Sequence, residues 1–211
     1  MSARERLGIV GAGKIGTTIA RAALDAGYDV MLSGSGTVER LALTAEILAP
    51  GATPAVTADV VGHAELIVLA VPTHRFRELD RTLFDGKVLI DTMNYWEPID
   101  GHDPEFAADP AGSSLVVQRW FSGASVVKSL NQLGYHEFDE LRRPHGRPDR
   151  LAQAVSGNDG EARTAVMQLV DRLGFDAIDA GPLTAATPLG TGGAAFGIGL
   201  SAGALSLLLA A

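Results

Sequence analysis

The chain has no cysteine among its 211 residues. That excludes disulfides, thiolate nucleophiles, zinc fingers and iron–sulfur clusters together, and it fits a reducing, cytoplasmic setting. Positive charge is in deficit. Lys and Arg number 17 against 25 Asp and Glu, a net charge of −8, so the basic face of a nucleic-acid binder is not expected. The opening MSARERLGIV has no basic segment running into an apolar core with a small-residue cleavage site, so no secretory signal is expected. No charge follows Asp179. Within that uncharged tail, residues 194–211 are long enough to suggest a membrane span. Gly197, Gly199 and Gly203, abundant Ala and the lack of flanking Lys or Arg argue instead for a helix buried in the fold or in a subunit interface.

What is present is ordinary for a globular protein: 46% hydrophobic and 20% charged residues. The length fits one large domain, or one with a small appendage. Short apolar runs alternate with helical periodicity throughout. Strands are expected at 7–10, 29–32, weakly at 55–57, then at 66–71, 88–91, 125–130, 151–156 and 175–179. Helices are expected at 14–26, closed by Gly27, at 38–48 with Val38, Leu41, Ala45 and Leu48 on one face, at 114–121, and at 161–173 after an Asn158 cap. The continuous runs LIVLAV and VLID suit parallel strands buried on both faces. Residues 94–113, with five acids, three prolines and His102, read as a long irregular segment. The pattern predicts an α/β fold built as a doubly wound, mostly parallel sheet with a small C-terminal helical element.

One motif carries chemistry. Gly11, Ala12, Gly13, Lys14, Ile15 and Gly16 form G-x-G-x-x-G directly after an apolar strand and at the start of a helix, the context that gives the pattern meaning. Gly11 permits the turn, Gly13 lets backbone approach a pyrophosphate, and Gly16 lets helix and strand pack closely. The helix N-terminus offers unpaired N–H groups to the anion. The second strand ends in Ser33, Gly34, Ser35, Gly36 and Thr37, with no acid there for a ribose 2′-hydroxyl and with Arg40 one turn later. That favours NADP(H) over NAD(H). Ala70, Val71, Pro72 and Thr73 end another strand at the sheet's carboxyl edge, and Met93 and Asn94 end the next, so both turns are candidates for the cofactor crevice.

Other polar residues read two ways. His74 is a proton donor near the nicotinamide or a first-turn helix residue. Lys128 and Asn131 are catalytic groups at the ligand edge, or a structural ion pair and a turn amide. The loop from Leu141 to Arg150 holds four arginines and one acid. It is a solvated surface loop or a clamp for a ligand phosphate or carboxylate. Asp100, His102 and Asp103 match no metal-ligand spacing, so no metal is expected.

GAGKIG, LAVP, VVKSLN at 126–131, AGPL after Asp179, and the stretch SGNDGEARTAVMQLVDRLGFDAIDAGPL resemble the NADPH-dependent reductases of the deazaflavin coenzyme F420, over nearly the whole chain. The resemblance implies a Rossmann domain over 1–182 that binds NADP(H). It implies a C-terminal segment over 183–211 that completes the substrate side and supplies a homodimer contact. It also implies a flat redox partner, coenzyme F420 or a flavin, stacked between the loop after Asn131 and residues 189–196. Hydride transfer between flat rings needs stacking and exclusion of water rather than an activated nucleophile. A small imine or carbonyl substrate would need an acid, for which His136, Tyr135, His74 and Lys128 are candidates. A non-catalytic NADPH sensor is the third reading.

Overall fold

Continuous apolar runs line up at the centre of one sheet. The computed structural model describes residues 4–108 and 112–210. Its strands are β1 (Arg6–Val10), β2 (Asp29–Ser33), β3 (Thr53–Pro54), β4 (Leu66–Leu69), β5 (Val88–Asp91), β6 (Ser125–Lys128), β7 (Ala152–Gly157) and β8 (Asp176–Gly181). They lie in the order β3-β2-β1-β4-β5-β6-β7-β8. Every neighbouring pair is parallel except β6 and β7. The carboxyl ends of β1, β2, β4, β5 and β6 therefore share one edge.

Successive side chains point to opposite faces, and both faces are covered. Leu7, Ile9, Val68, Ile90 and Val127 join one core with helices α1 (Lys14–Asp25), α2 (Val38–Leu48) and α8 (Gly160–Arg172). Ile67, Leu69, Leu89 and Val126 join the other, with α3 (Thr57–His63), α6 (Ser113–Trp120) and the buried ring pair Phe84 and Phe121, centroids 4.8 Å apart. Each fully buried Leu, Ile or Phe contributes about 1.5–3 kcal/mol. The segment between β5 and α6 carries α4 (Glu97–Asp100) and α5 (Pro104–Ala108), with Tyr95 stacked on Phe106.

Several expectations are corrected. The third strand is Thr53–Pro54 rather than 55–57, because Thr57 already opens α3, which buries Val60 and Val61. Leu48 is exposed while Leu41 and Ala45 are buried, since α2 lies at the sheet margin and only its inner stripe meets the core. The cap of α8 is Asp159, which accepts from the N–H groups of Glu161 and Ala162. Asn158 instead accepts from Leu183 N–H at 3.1 Å. The 94–113 stretch is not wholly irregular, and 109–111 within it lie outside the described residues. Helix α7 (Tyr135–Leu141) was not foreseen.

The tail also differs from the expected helix over 194–211, whose last residue lies outside the described ones. Only α9 (Ala202–Leu209) is helical there, capped by Ser201. Gly192 and Gly197 break the chain with φ of +80° and +69°. Leu183, Leu189, Ala195 and Leu205 are buried, and the last three pack with Ala152 and Ala154 of β7. No helix of the described residues is long and apolar enough to cross a membrane.

Candidate functional site

The turn after β1 is built from glycines for distinct steric reasons. Gly11 has φ +122°, and a Cβ there would lie 2.2 Å from the Ala70 carbonyl oxygen. Its N–H donates to the Ser33 carbonyl at 2.9 Å, tying β1 to β2. A Cβ on Gly16 would lie 1.9 Å from the Gly11 carbonyl oxygen. Gly13 is different: a Cβ there would meet nothing within 4 Å. Gly13 is also the N-cap of α1, and no side chain caps that helix or places an acid in its first turn. The helix thus presents its positive end and uncapped N–H groups to open space.

That space is a cavity of about 600 Å³ at the carboxyl edge of the sheet, lined by residues 10–13, 33–36 and 70–72 together with Arg40, Thr57, Arg75 and Glu78. Its size suits a small-molecule ligand. Ser33 is buried, and its Oγ accepts from Thr57 Oγ1 at 3.3 Å. Asp29 lies at the opposite end of β2, 3.5 Å from His63. Among the described residues, the only acid lining the cavity is Glu78, which is bound to Arg75. Thr57, Arg75 and Glu78 were not foreseen. The motif rule reads the first βα turn, whereas Arg75 and Glu78 stand in the 3-10 helix Thr73–Glu78 that follows the AVP turn.

Lys14, Ile15, Gly16, Met93 and Asn94 do not line this cavity. Lys14 is exposed, with its Nζ 4.8 Å from the centre of the Tyr135 ring. Ile15 packs against the core. Met93 and Asn94 follow β5 at the same sheet edge and are held from below. Asp91, fully buried, accepts from Met93 N–H at 2.9 Å and from Ser114 Oγ at 2.6 Å. Lys128, also buried, reaches Asp91 at 3.5 Å and donates to the Met93 carbonyl. Burial pushes the Lys128 amine down, with the Asp91 charge opposing. Lys128 is therefore sealed beneath the turn, and its ammonium meets protein groups rather than open crevice.

Asn131 stitches three segments. Its Nδ2 donates to Asn94 Oδ1 at 2.9 Å and to the Leu189 carbonyl at 2.7 Å, while Asn94 Nδ2 donates to the Asn131 carbonyl at 3.1 Å. The preceding residue, Leu130, has φ +58° and is the one non-glycine with positive φ among the described residues. Such backbone strain costs on the order of 1–3 kcal/mol and persists where its surroundings over-determine it. His74 is half exposed, with Nδ1 3.4 Å from Asp100. The arginines of the 141–150 loop are paired with carboxylates, most of them on neighbouring elements. Arg142 meets Asp25 and Asp139, Arg143 and Arg147 meet Asp149, and buried Arg150 meets Asp171 and Asp176. These contacts favour a structural loop over a ligand clamp. Among the described residues, no group of three or more His, Asp or Glu could hold a metal ion.

Residues 6–95 match the family model of the coenzyme F420-dependent NADP oxidoreductases, so this stretch of the chain is similar to that family. A protein from Arthrobacter sp. FB24, itself provisionally described as an F420-dependent NADP reductase, is 29% identical, with a TM-score of 0.70 and 87% of each chain covered. A hypothetical protein from Sinorhizobium meliloti shares the fold at a TM-score of 0.81 and 23% identity, covering 94% of this chain and 96% of that one. The 1-pyrroline-5-carboxylate reductase of Streptococcus pyogenes shares the fold more distantly. Its TM-score is 0.57 at 18% identity, over 84% of this chain and 59% of that one.

Proposed function

We propose that this chain is an NADP-dependent oxidoreductase that moves hydride between NADPH and a flat redox partner, coenzyme F420 or a flavin. The observation that carries the reading is the open face of Gly13 at the uncapped start of α1, inside a cavity whose β2 end bears hydroxyls and Arg40 but no carboxylate. These residues fit a phosphorylated dinucleotide. The α1 N-terminus takes the pyrophosphate. Ser33, Ser35 and Arg40 take the 2′-phosphorylated ribose. The turns 70–72 and 93–94 border the nicotinamide end.

NADPH, when bound, supplies the hydride. The protein's part is to align two rings and keep water out. Val71 and Pro72 give the cavity an apolar lining there, and the Met93 turn follows β5 at the same sheet edge. Lys128 and Asp91 act as positioning residues that hold the Met93 turn, and Asn131 ties that turn to Leu189. A small imine or carbonyl substrate would need a proton donor in the crevice. Burial of Lys128 weighs against that reading. A homodimer through the C-terminal tail belongs to the same proposal and is tested by sedimentation velocity.

The experiment is a calorimetric titration with NADPH and NADH, followed by mixing the NADPH complex with oxidised F420 and, separately, FAD. The expected result is selective NADPH binding and bleaching of one acceptor with oxidation of NADPH. Tight NADPH binding with no turnover on either acceptor would refute the flat-partner reading. Binding of neither nucleotide would refute the cofactor reading.

A further inference from the structure

The cavity holds two arginines from different elements, Arg40 on α2 and Arg75 in the 3-10 helix Thr73–Glu78. Residues 33–37, where β2 ends, contain no cation. We infer that Arg75 is the second cation for the 2′-phosphate of the bound nucleotide, and that Glu78 is the positioning residue that aims it. The inference rests on the NADP(H) reading above and assigns its specificity.

The local geometry is dictated by the helix type. In a 3-10 helix, residues three apart eclipse one another, so Arg75 and Glu78 stand on the same side. Arg75 Nε donates to Glu78 Oε1 at 3.2 Å and Oε2 at 3.1 Å, and its Nη2 donates to Oε2 at 2.7 Å. A guanidinium carries five N–H groups in a planar fork. Glu78 occupies the Nε–Nη2 edge. The Nη1–Nη2 edge meets no hydrogen-bond partner among the described residues. Two parallel N–H groups on that edge match two oxygens of a phosphate. Glu78 therefore restrains the guanidinium before ligand arrives without consuming the edge a phosphate uses. A carboxylate facing a dianion would otherwise be repulsive, so its contact with Arg75 is what makes an acid tolerable in this cavity.

Both side chains are well exposed, 45% and 60%, and an exposed pair of this kind contributes little to folding. Substitutions here read binding rather than stability. The test uses two small probes, adenosine 2′,5′-bisphosphate and 5′-AMP, which differ only in the 2′-phosphate. Affinities for wild type, Arg75→Ala and Glu78→Ala are measured by calorimetry, with thermal melts as the folding control. Arg75→Ala is expected to weaken the bisphosphate by about 10- to 100-fold, the range for a charge-assisted hydrogen-bonded contact, and to leave 5′-AMP within about twofold. Glu78→Ala is expected to lower the ratio of the two affinities partway. An unchanged ratio in Arg75→Ala, or an equal loss for both probes, overturns the assignment of Arg75. An unchanged ratio in Glu78→Ala overturns the aiming role. Wild-type protein that binds no NADPH is a failure of the parent reading. Wild-type protein that prefers NADPH, with Arg75→Ala unaltered, is a failure of this inference alone.

Discussion

Gly13 and Gly16 sit three residues apart in one motif, yet substitution to Ala should separate binding from folding. At Gly16 the new Cβ would lie 1.9 Å from the Gly11 carbonyl oxygen. The obstacle is backbone, so relief requires α1 to move off β1. Overpacking costs about 1–3 kcal/mol and sometimes more, and a contact this short belongs at the upper end, about 3 kcal/mol. For a chain of this size each kcal/mol shifts the melting temperature by roughly 2–4 °C, so Gly16→Ala should melt roughly 6–12 °C lower. At Gly13 the backbone is extended, with φ −78° and ψ −173°, which Ala adopts readily. Nothing lies within 4 Å of its Cβ. The loss of Gly as N-cap costs about 1 kcal/mol or less, so the melt should shift by only a few degrees. The added methyl instead occupies the surface that the pyrophosphate approaches, and NADPH affinity should fall by about tenfold or more. Differential scanning fluorimetry and calorimetric NADPH titration of both variants are the assays. Gly13→Ala protein that binds NADPH as wild type does would refute the assignment of that open face to the cofactor.

Three further outcomes are expected. Lys128→Ala leaves Asp91 buried without its cation but still bonded to Ser114 and Met93. Breaking a buried pair costs about 3–5 kcal/mol, and those remaining bonds favour the lower end, read as a lowered urea midpoint. Asn131→Ala strands the Leu189 carbonyl and Asn94 Oδ1 at a cost of about 1–3 kcal/mol, and acceptor KM should rise more than NADPH Kd. The acid limb follows from depressed carboxyls. Backbone N–H of Ala162, the Ser125 hydroxyl and Glu161 N–H hold Asp159 below its usual range. Burial opposes the charge of Asp171, but hydrogen bonds from Arg150 and His145 outweigh it. The unfolded chain then binds more protons than the folded one, so stability is present above about pH 4 and is lost as pH falls through the folded values. Urea midpoints that stay flat down to about pH 3 would contradict this.

The sheet was legible because its signals are strictly local. LIVLAV and VLID are continuous apolar runs, and the glycine motif sits in its strand-to-helix context. The parts that differed depend on distance. Edge strand β3 has two paired residues, Met31 with Thr53 and Leu32 with Pro54, too few to leave a periodic signal. The tail looked like one apolar helix because composition does not report where Gly192 and Gly197 turn the chain. Arg75 was illegible as a cavity residue, since its place depends on the 3-10 turn after Pro72.

The polar residues at the ligand edge show why residue type alone left two readings open. Lys128 and Asn131 are three apart in VVKSLN, and either could face a substrate. What separates them is burial and partners. Lys128 is 1% exposed and bonded downward to Asp91 and the Met93 carbonyl. Asn131 is 3% exposed and bonded sideways to Asn94 and Leu189. Neither lines the cavity, yet both are bonded to the Met93–Asn94 turn at the sheet's carboxyl edge. The strained Leu130 lies between them, where strand β6 has ended and the chain must present Asn131 toward β5 and the C-terminal segment at once. On the proposed reading, in which the chemistry is alignment rather than proton transfer, the costly polar groups lie behind the reacting surface. There, fixed hydrogen bonds set the position of apolar turns to the accuracy that stacking requires.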